Sequence, residues 1–132
     1  MHCSVACGHL GQKLHPEILH NAQKYIKEQL HLTEDKPVML VFHGGSGSLP
    51  SEIDVAVSAG VVKMNVDTDT QWAFWDGIRN YYQKNEDYLQ KQVGTSTDPT
   101  HPNKKFYDPR VWLREAEKSM VERIKLSYKA LH

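Results

Sequence analysis

Residues 37–48 read Pro-Val-Met-Leu-Val-Phe-His-Gly-Gly-Ser-Gly-Ser. The run from Pro37 to Phe42 is continuous, apolar, short and rich in strand formers, which predicts a strand buried on both faces, as in a parallel sheet. It ends in His43-Gly44-Gly45-Ser46-Gly47-Ser48. Glycines placed directly after a strand let backbone N–H groups approach a ligand, and the turn that follows can cradle an anion, so phosphate binding is the natural reading.

Working outward, Leu14, Ile18, Ala22, Tyr25, Ile26 and Leu30 recur at helical spacing, with Pro16 where a first-turn proline fits. This predicts an amphipathic helix over 14–30, and Thr33 to Lys36 form a polar turn before the strand. After the glycine loop, Ser51 is read as the cap of a short helix carrying Ile53, Val55, Ala56 and Val57, closed by Gly60. Val61 to Val66 then reads as a second strand, with Lys63, Asn65 and Asp67 on one face and Val62, Met64 and Val66 on the other. A helix is predicted from Thr70 through Trp72, Trp75, Ile78 and Tyr82, and a shorter one over Asp87 to Gln92. Gly94 to Asn103 reads as a loop. Asp108 is read as the cap of a long final helix, with Pro109 in its first turn and Leu113, Ala116, Met120, Ile124 and Leu131 as its buried stripe. Helices alternating with strands over short joins signal βα units with adjacent parallel strands.

The chain has 132 residues, enough for one modest core or a piece of a larger domain. Sixteen basic residues balance sixteen acidic ones, so no basic surface for nucleic acid is implied. No apolar stretch has the roughly 18 residues of a membrane span, and the first eleven lack the pattern of a signal peptide. The expected location is the cytoplasm. Cys3 and Cys7 are too close for a useful disulfide, and a lone C-x3-C is no zinc finger.

Several chemistries are compatible with individual residues. The glycine loop lacks the Lys-Ser/Thr pair of a P-loop, and its spacing is not a dinucleotide fingerprint. His-Gly-Gly is shared with esterase oxyanion loops, but Gly44-Gly45-Ser46-Gly47-Ser48 misses the last glycine of a nucleophile elbow. His43 is either a satisfied core histidine or a metal ligand. Asn65-Val66-Asp67-Thr68-Asp69 is either a capping turn, with Asp67 and Thr68 at the helix start, or part of the anion site. Lys63 is a candidate Schiff-base nucleophile, with pairing to an acid inside a barrel as the preferred alternative. Arg110 stands in the first turn of a helix, where a cation opposes the dipole. Phosphate binding would explain it, and a surface salt bridge is the plainer alternative.

Taken together, VFHGGSGS at 41–48, GVVKMNVDTDTQWA at 60–73 and PNKKFYDPRVWLRE at 102–115 closely resemble the carboxyl-terminal part of class II fructose-bisphosphate aldolases. With KLHPEIL at 13–19, the resemblance runs from about Lys13 to the end. It implies an α/β fold, the last two βα units and C-terminal helical tail of a (β/α)8 barrel that needs about 250 residues when whole. It divides the chain into an atypical segment, 1–12, and a barrel portion, 13–132.

By the same resemblance, Zn2+ polarises the carbonyl of dihydroxyacetone phosphate and stabilises an ene-diolate, which adds to glyceraldehyde 3-phosphate to give fructose 1,6-bisphosphate. His43 matches a zinc ligand and Asn65 the residue facing the ene-diolate. Gly44, Gly45 and Ser46, with Val66, Asp67, Thr68 and Asp69, match the loops holding the first phosphate. Arg110 matches the arginine for the second phosphate, reaching across from the neighbouring subunit of a homodimer. The family's other zinc histidine should stand in a His-Gly loop just before KLHPEIL, where this chain reads MHCSVACGHLGQ; His2 and His9 are the candidates to replace it.

One histidine cannot hold catalytic zinc, which takes three protein ligands. The isolated chain is therefore expected to be an inactive fragment of a glycolytic and gluconeogenic aldolase. The alternative is a non-catalytic module that binds sugar phosphates or a full-length subunit. A half-barrel working as two copies ranks last, since it needs a general base that the sequence does not show.

Overall fold

The architecture follows from three strands that share one direction. In this computed structural model, which describes residues 2–6 and 15–131, the order is β1 (His2–Ala6), α1 (Pro16–Gln29), β2 (Met39–His43), α2 (Pro50–Ser58), β3 (Val61–Met64), α3 (Asp67–Lys84), α4 (Glu86–Leu89), α5 (Lys104–Tyr107) and α6 (Pro109–Ala130). The strands form one parallel sheet in the order β1-β2-β3. Cys7, His9 and Leu14 lie outside the described residues, so neither the Cys3/Cys7 question nor a metal role for His9 meets any geometry. The backbone divides into two units, one of residues 1–69 with 127–132 and one of residues 70–126.

The first unit holds the sheet. Leu19, Val38, Leu40, Phe42, Ala56, Ala59 and Val61 form its core, with Ile26 and Met64 packed against it. Burial of each large side chain there contributes about 1.5–3 kcal/mol. Helix α1 uses the face carrying Leu19, Gln23 and Ile26, whereas Ile18 and Tyr25 of the expected stripe are exposed. Strand β2 is buried on one face only: Leu40 and Phe42 enter the core while Met39 is 57% exposed. Between Leu40 and Val41 the register slips, Leu40 pairing with Val61 but Val41 with Lys63. The extra residue, Val62, is 64% exposed, which breaks the alternation expected of that strand. Lys63 is exposed and makes no ion pair among the described residues, so the expected acid partner is not found there.

A buried amide fixes the other ends of the strands. Gln23 Nε2 donates to the carbonyls of Val38 (2.7 Å) and Ala59 (3.0 Å), and its Oε1 accepts from Val38 N–H (3.0 Å). Gly60 closes α2 with φ +101°, and a Cβ there would lie 2.6 Å from Gln23 Nε2. The glycine therefore serves both a left-handed turn and a close approach. Helix α2 starts two residues earlier than a Ser51 cap implies, with Leu49 in the cap position. Pro50 opens it, and the Glu52 carboxylate accepts from Leu49 N–H at 2.8 Å, satisfying an amide at the helix start.

In the second unit, Gly77 of α3 meets α6 so closely that a Cβ would lie 2.7 Å from Ala116 Cα. Ala116 is fully buried, but Leu113 and Ile124 of the expected α6 stripe are 41% and 47% exposed. Helical spacing marks which face is apolar, not what covers it. Residues 94–103, expected as a plain loop, are pinned by Asn103, whose buried Nδ2 donates to the carbonyls of Lys91 (3.0 Å) and Gly94 (2.8 Å). The helix expected over Asp87 to Gln92 is shorter and earlier, as α4. The turn α5 stands where no helix was read.

Gln23→Met keeps the volume but leaves the Val38 and Ala59 groups without their partners. The expected loss is about 2–3 kcal/mol, read as a lower urea midpoint at unchanged slope; an unchanged midpoint would show that the clamp is not structural.

Candidate functional site

The carboxyl ends of β2 and β3 lead into two loops, 43–48 and 65–69, that are joined atom by atom. The ladder continues beyond the strands: Asn65 N–H donates to Phe42 O (3.0 Å), and Gly45 N–H donates to Asn65 O (2.8 Å). Asn65 is therefore fixed on both sides of its peptide. Its side-chain amide is hydrogen-bonded to His43 Nδ1 at 3.0 Å, and both residues are half-buried. The structure thus brings the candidate metal ligand and the candidate catalytic amide into direct contact.

A second pair of bonds joins the loops further out. Gly47 N–H donates to Asp69 Oδ2 and Asp69 N–H donates to Ser46 Oγ, each at 3.2 Å, across 22 and 23 residues of sequence. Gly44 and Gly47 adopt φ of 69° and 79°, left-handed values that side-chain-bearing residues rarely take. Gly45 is needed for space: a Cβ would lie 2.5 Å from Met64 Cγ and 2.7 Å from Met64 Sδ.

Helix α3 begins at Asp67, so Asp67, Thr68 and Asp69 form its first turn instead of preceding it. In that first turn the Asp69 amide meets Ser46 of the glycine loop, and the positive end of a helix favours an anion nearby. Asp69 already uses its backbone and carboxylate to hold that loop in shape.

Arg110 belongs to the second unit, in the first turn of α6. Its Nε donates to Asp108 Oδ1 at 2.9 Å and its Nη2 to Asp108 Oδ2 at 2.5 Å. Asp108 Oδ1 also accepts from Arg110 N–H at 3.0 Å, so Asp108 is the cap expected from the sequence. The surface salt bridge weighed for Arg110 is therefore present, with Asp108 as its forked partner. The Arg110 guanidinium, followed by its backbone N–H, pulls the Asp108 carboxyl from its ordinary 3.8 to about 2.

Among the described residues no group of three His, Cys, Asp or Glu side chains is placed to hold a metal ion. His43 is one donor at the right place, and catalytic zinc takes three from the protein. These residues alone therefore do not fit a zinc ion. Among the described residues no helix is long and apolar enough to cross a membrane.

The whole length, residues 1–132, matches the family model described as fructose-bisphosphate aldolase class-II. Over 119 residues, 90% of this chain, it is 56% identical to a fructose-bisphosphate aldolase of Campylobacter jejuni. Over 120 residues it is 58% identical to one of Borreliella burgdorferi. It covers 34% and 33% of those proteins, so the chain spans about a third of the length of the curated relatives it matches. The crystal structure of the C. jejuni aldolase superposes with a TM-score of 0.83, covering 90% of this chain and 35% of that one. The YdjI aldolase of Escherichia coli, 21% identical with a TM-score of 0.56, shares the fold. The partial (β/α)8 barrel read from the sequence agrees with these neighbours, and β1 adds a third strand to the two read there.

Two outcomes follow from this geometry. Gly45→Ala drives a methyl group into Met64 and is expected to cost about 1–3 kcal/mol, measured by urea unfolding; a neutral result would mean that the loop yields. Because the Asp108 carboxyl is lowered in the folded chain, its contribution is present above its ordinary pKa and is lost as pH falls through about 2. A carbon-13 NMR titration of the Asp108 carboxyl should show a midpoint near that value, and a midpoint at the ordinary 3.8 would mean that the fork does not persist in solution.

Proposed function

Because the chain belongs to the class II fructose-bisphosphate aldolase family, we propose that it forms the phosphate-binding corner of a cytoplasmic enzyme that reversibly cleaves fructose 1,6-bisphosphate to dihydroxyacetone phosphate and glyceraldehyde 3-phosphate. The reaction serves glycolysis and gluconeogenesis. The observation that carries this reading is the contact between His43 and Asn65 at the base of the stitched loops.

In this reading the phosphate of dihydroxyacetone phosphate lies against Gly44, Gly45 and Ser46 on one side and Val66, Asp67 and Thr68 on the other. Glycine-loop amides and the positive end of α3 suit such an anion. Asn65, anchored by three hydrogen bonds to residues 42–45, presents its carboxamide where the substrate carbons react. A rigid amide needs no reorganisation as charge develops. Zn2+ is the proposed cofactor, with His43 as one ligand and the others outside the described residues. Arg110 takes the second phosphate of the bisphosphate sugar in a homodimer, where it reaches the neighbouring subunit's site.

Taken by itself, the chain is non-catalytic, because its described residues supply only one of the donors that zinc requires. A chimera in which it replaces the matching third of the C. jejuni aldolase should cleave fructose 1,6-bisphosphate. That activity should vanish with a chelator and with His43→Ala. The isolated chain should show no chelator-sensitive cleavage. A chimera that stays active with His43→Ala would remove His43 from the metal site. Turnover by the isolated chain would show that it carries a complete ligand set.

A further inference from the structure

Arg110 and its partner differ sharply in exposure. Its side chain is 86% exposed, while that of its partner Asp108 is 15% exposed. The carboxylate sits beneath the guanidinium, capping α6 through Arg110 N–H with the same Oδ1 that accepts from Nε. The fork occupies Nε–H and one N–H of Nη2. The guanidinium's remaining N–H groups lie on its outward edge, where a planar, bidentate donor set suits a phosphate.

We infer that Asp108 is a positioning residue, which tethers Arg110 by one edge so that the opposite edge is held ready for the second phosphate of the substrate; this rests on the aldolase reading of Arg110. An untethered arginine is rotamer-rich and loses that freedom on binding. The tether removes the loss beforehand. The carboxylate also carries a charge of the wrong sign for phosphate, which the Arg110 charge it is forked to offsets.

The inference separates from a structural role because asparagine caps helices as well as aspartate does. Asp108→Asn keeps the cap and removes the charged fork. In the chimera, Asp108→Asn is expected to raise KM for fructose 1,6-bisphosphate about three- to tenfold, the range for one freed side chain. Its kcat and its KM for fructose 1-phosphate, which lacks the second phosphate, should be unchanged. Arg110→Met is the control and should raise the same KM further. If Arg110→Met raises it but Asp108→Asn does not, the tether is overturned while the aldolase reading stands. If neither variant moves the ratio of the two KM values, the reading of Arg110 fails and the inference with it. A fall in KM with Asp108→Asn would show that the carboxylate's charge outweighs its ordering, which also overturns the proposal.

Discussion

The first unit turns on the peptide of Asn65. Its N–H bonds to Phe42 near the end of β2 and its C=O to Gly45 just beyond it, so the ladder of a parallel pair extends past the strands into the two loops. With that peptide fixed, Gly45 must approach Met64 too closely for any side chain, the amide of Asn65 must face His43, and α3 must start beside the glycine loop. The outer bonds between Gly47, Ser46 and Asp69 complete an arrangement already set by backbone geometry. At the opposite ends of the same strands Gln23 plays the matching part, so β2 and β3 are pinned at both ends.

This division agrees with the way a (β/α)8 barrel distributes its tasks, with chemistry at the carboxyl ends of strands and stability at the amino ends. The chain carries both halves of that division for β2 and β3. Its apolar side chains are less settled: Met39, Val62, Leu113 and Ile124 are all open to solvent. The chain spans about a third of the length of the relatives it matches.

What was legible in the sequence was what is encoded locally. The strand before His43, the glycine turn, the left-handed Gly60 and the Asp108 cap each rest on a few neighbouring residues, and each is found. The bonds of Asp69 to Gly47 and Ser46 join residues 22 and 23 positions apart, and no local pattern announces them. His2–Ala6 has too little apolar character to stand out, and becomes a strand through pairing with β2. The bulge at Val62 likewise depends on how β2 and β3 align, so the expected alternation of Lys63 and Val62 did not hold. The Arg110 salt bridge was also read from the sequence, but without its partner, because Asp108 was read as a cap alone.

The two stitched loops have a consequence for inheritance. His43, Asn65, both glycine turns and the start of α3 lie on one uninterrupted stretch, joined through α2. The bonds of Asn65, Gly47 and Asp69 that join the loops form within that stretch. A recombination event with its breakpoint just ahead of Pro37 would carry both loops, and the bonds between them, into a recipient gene as one unit.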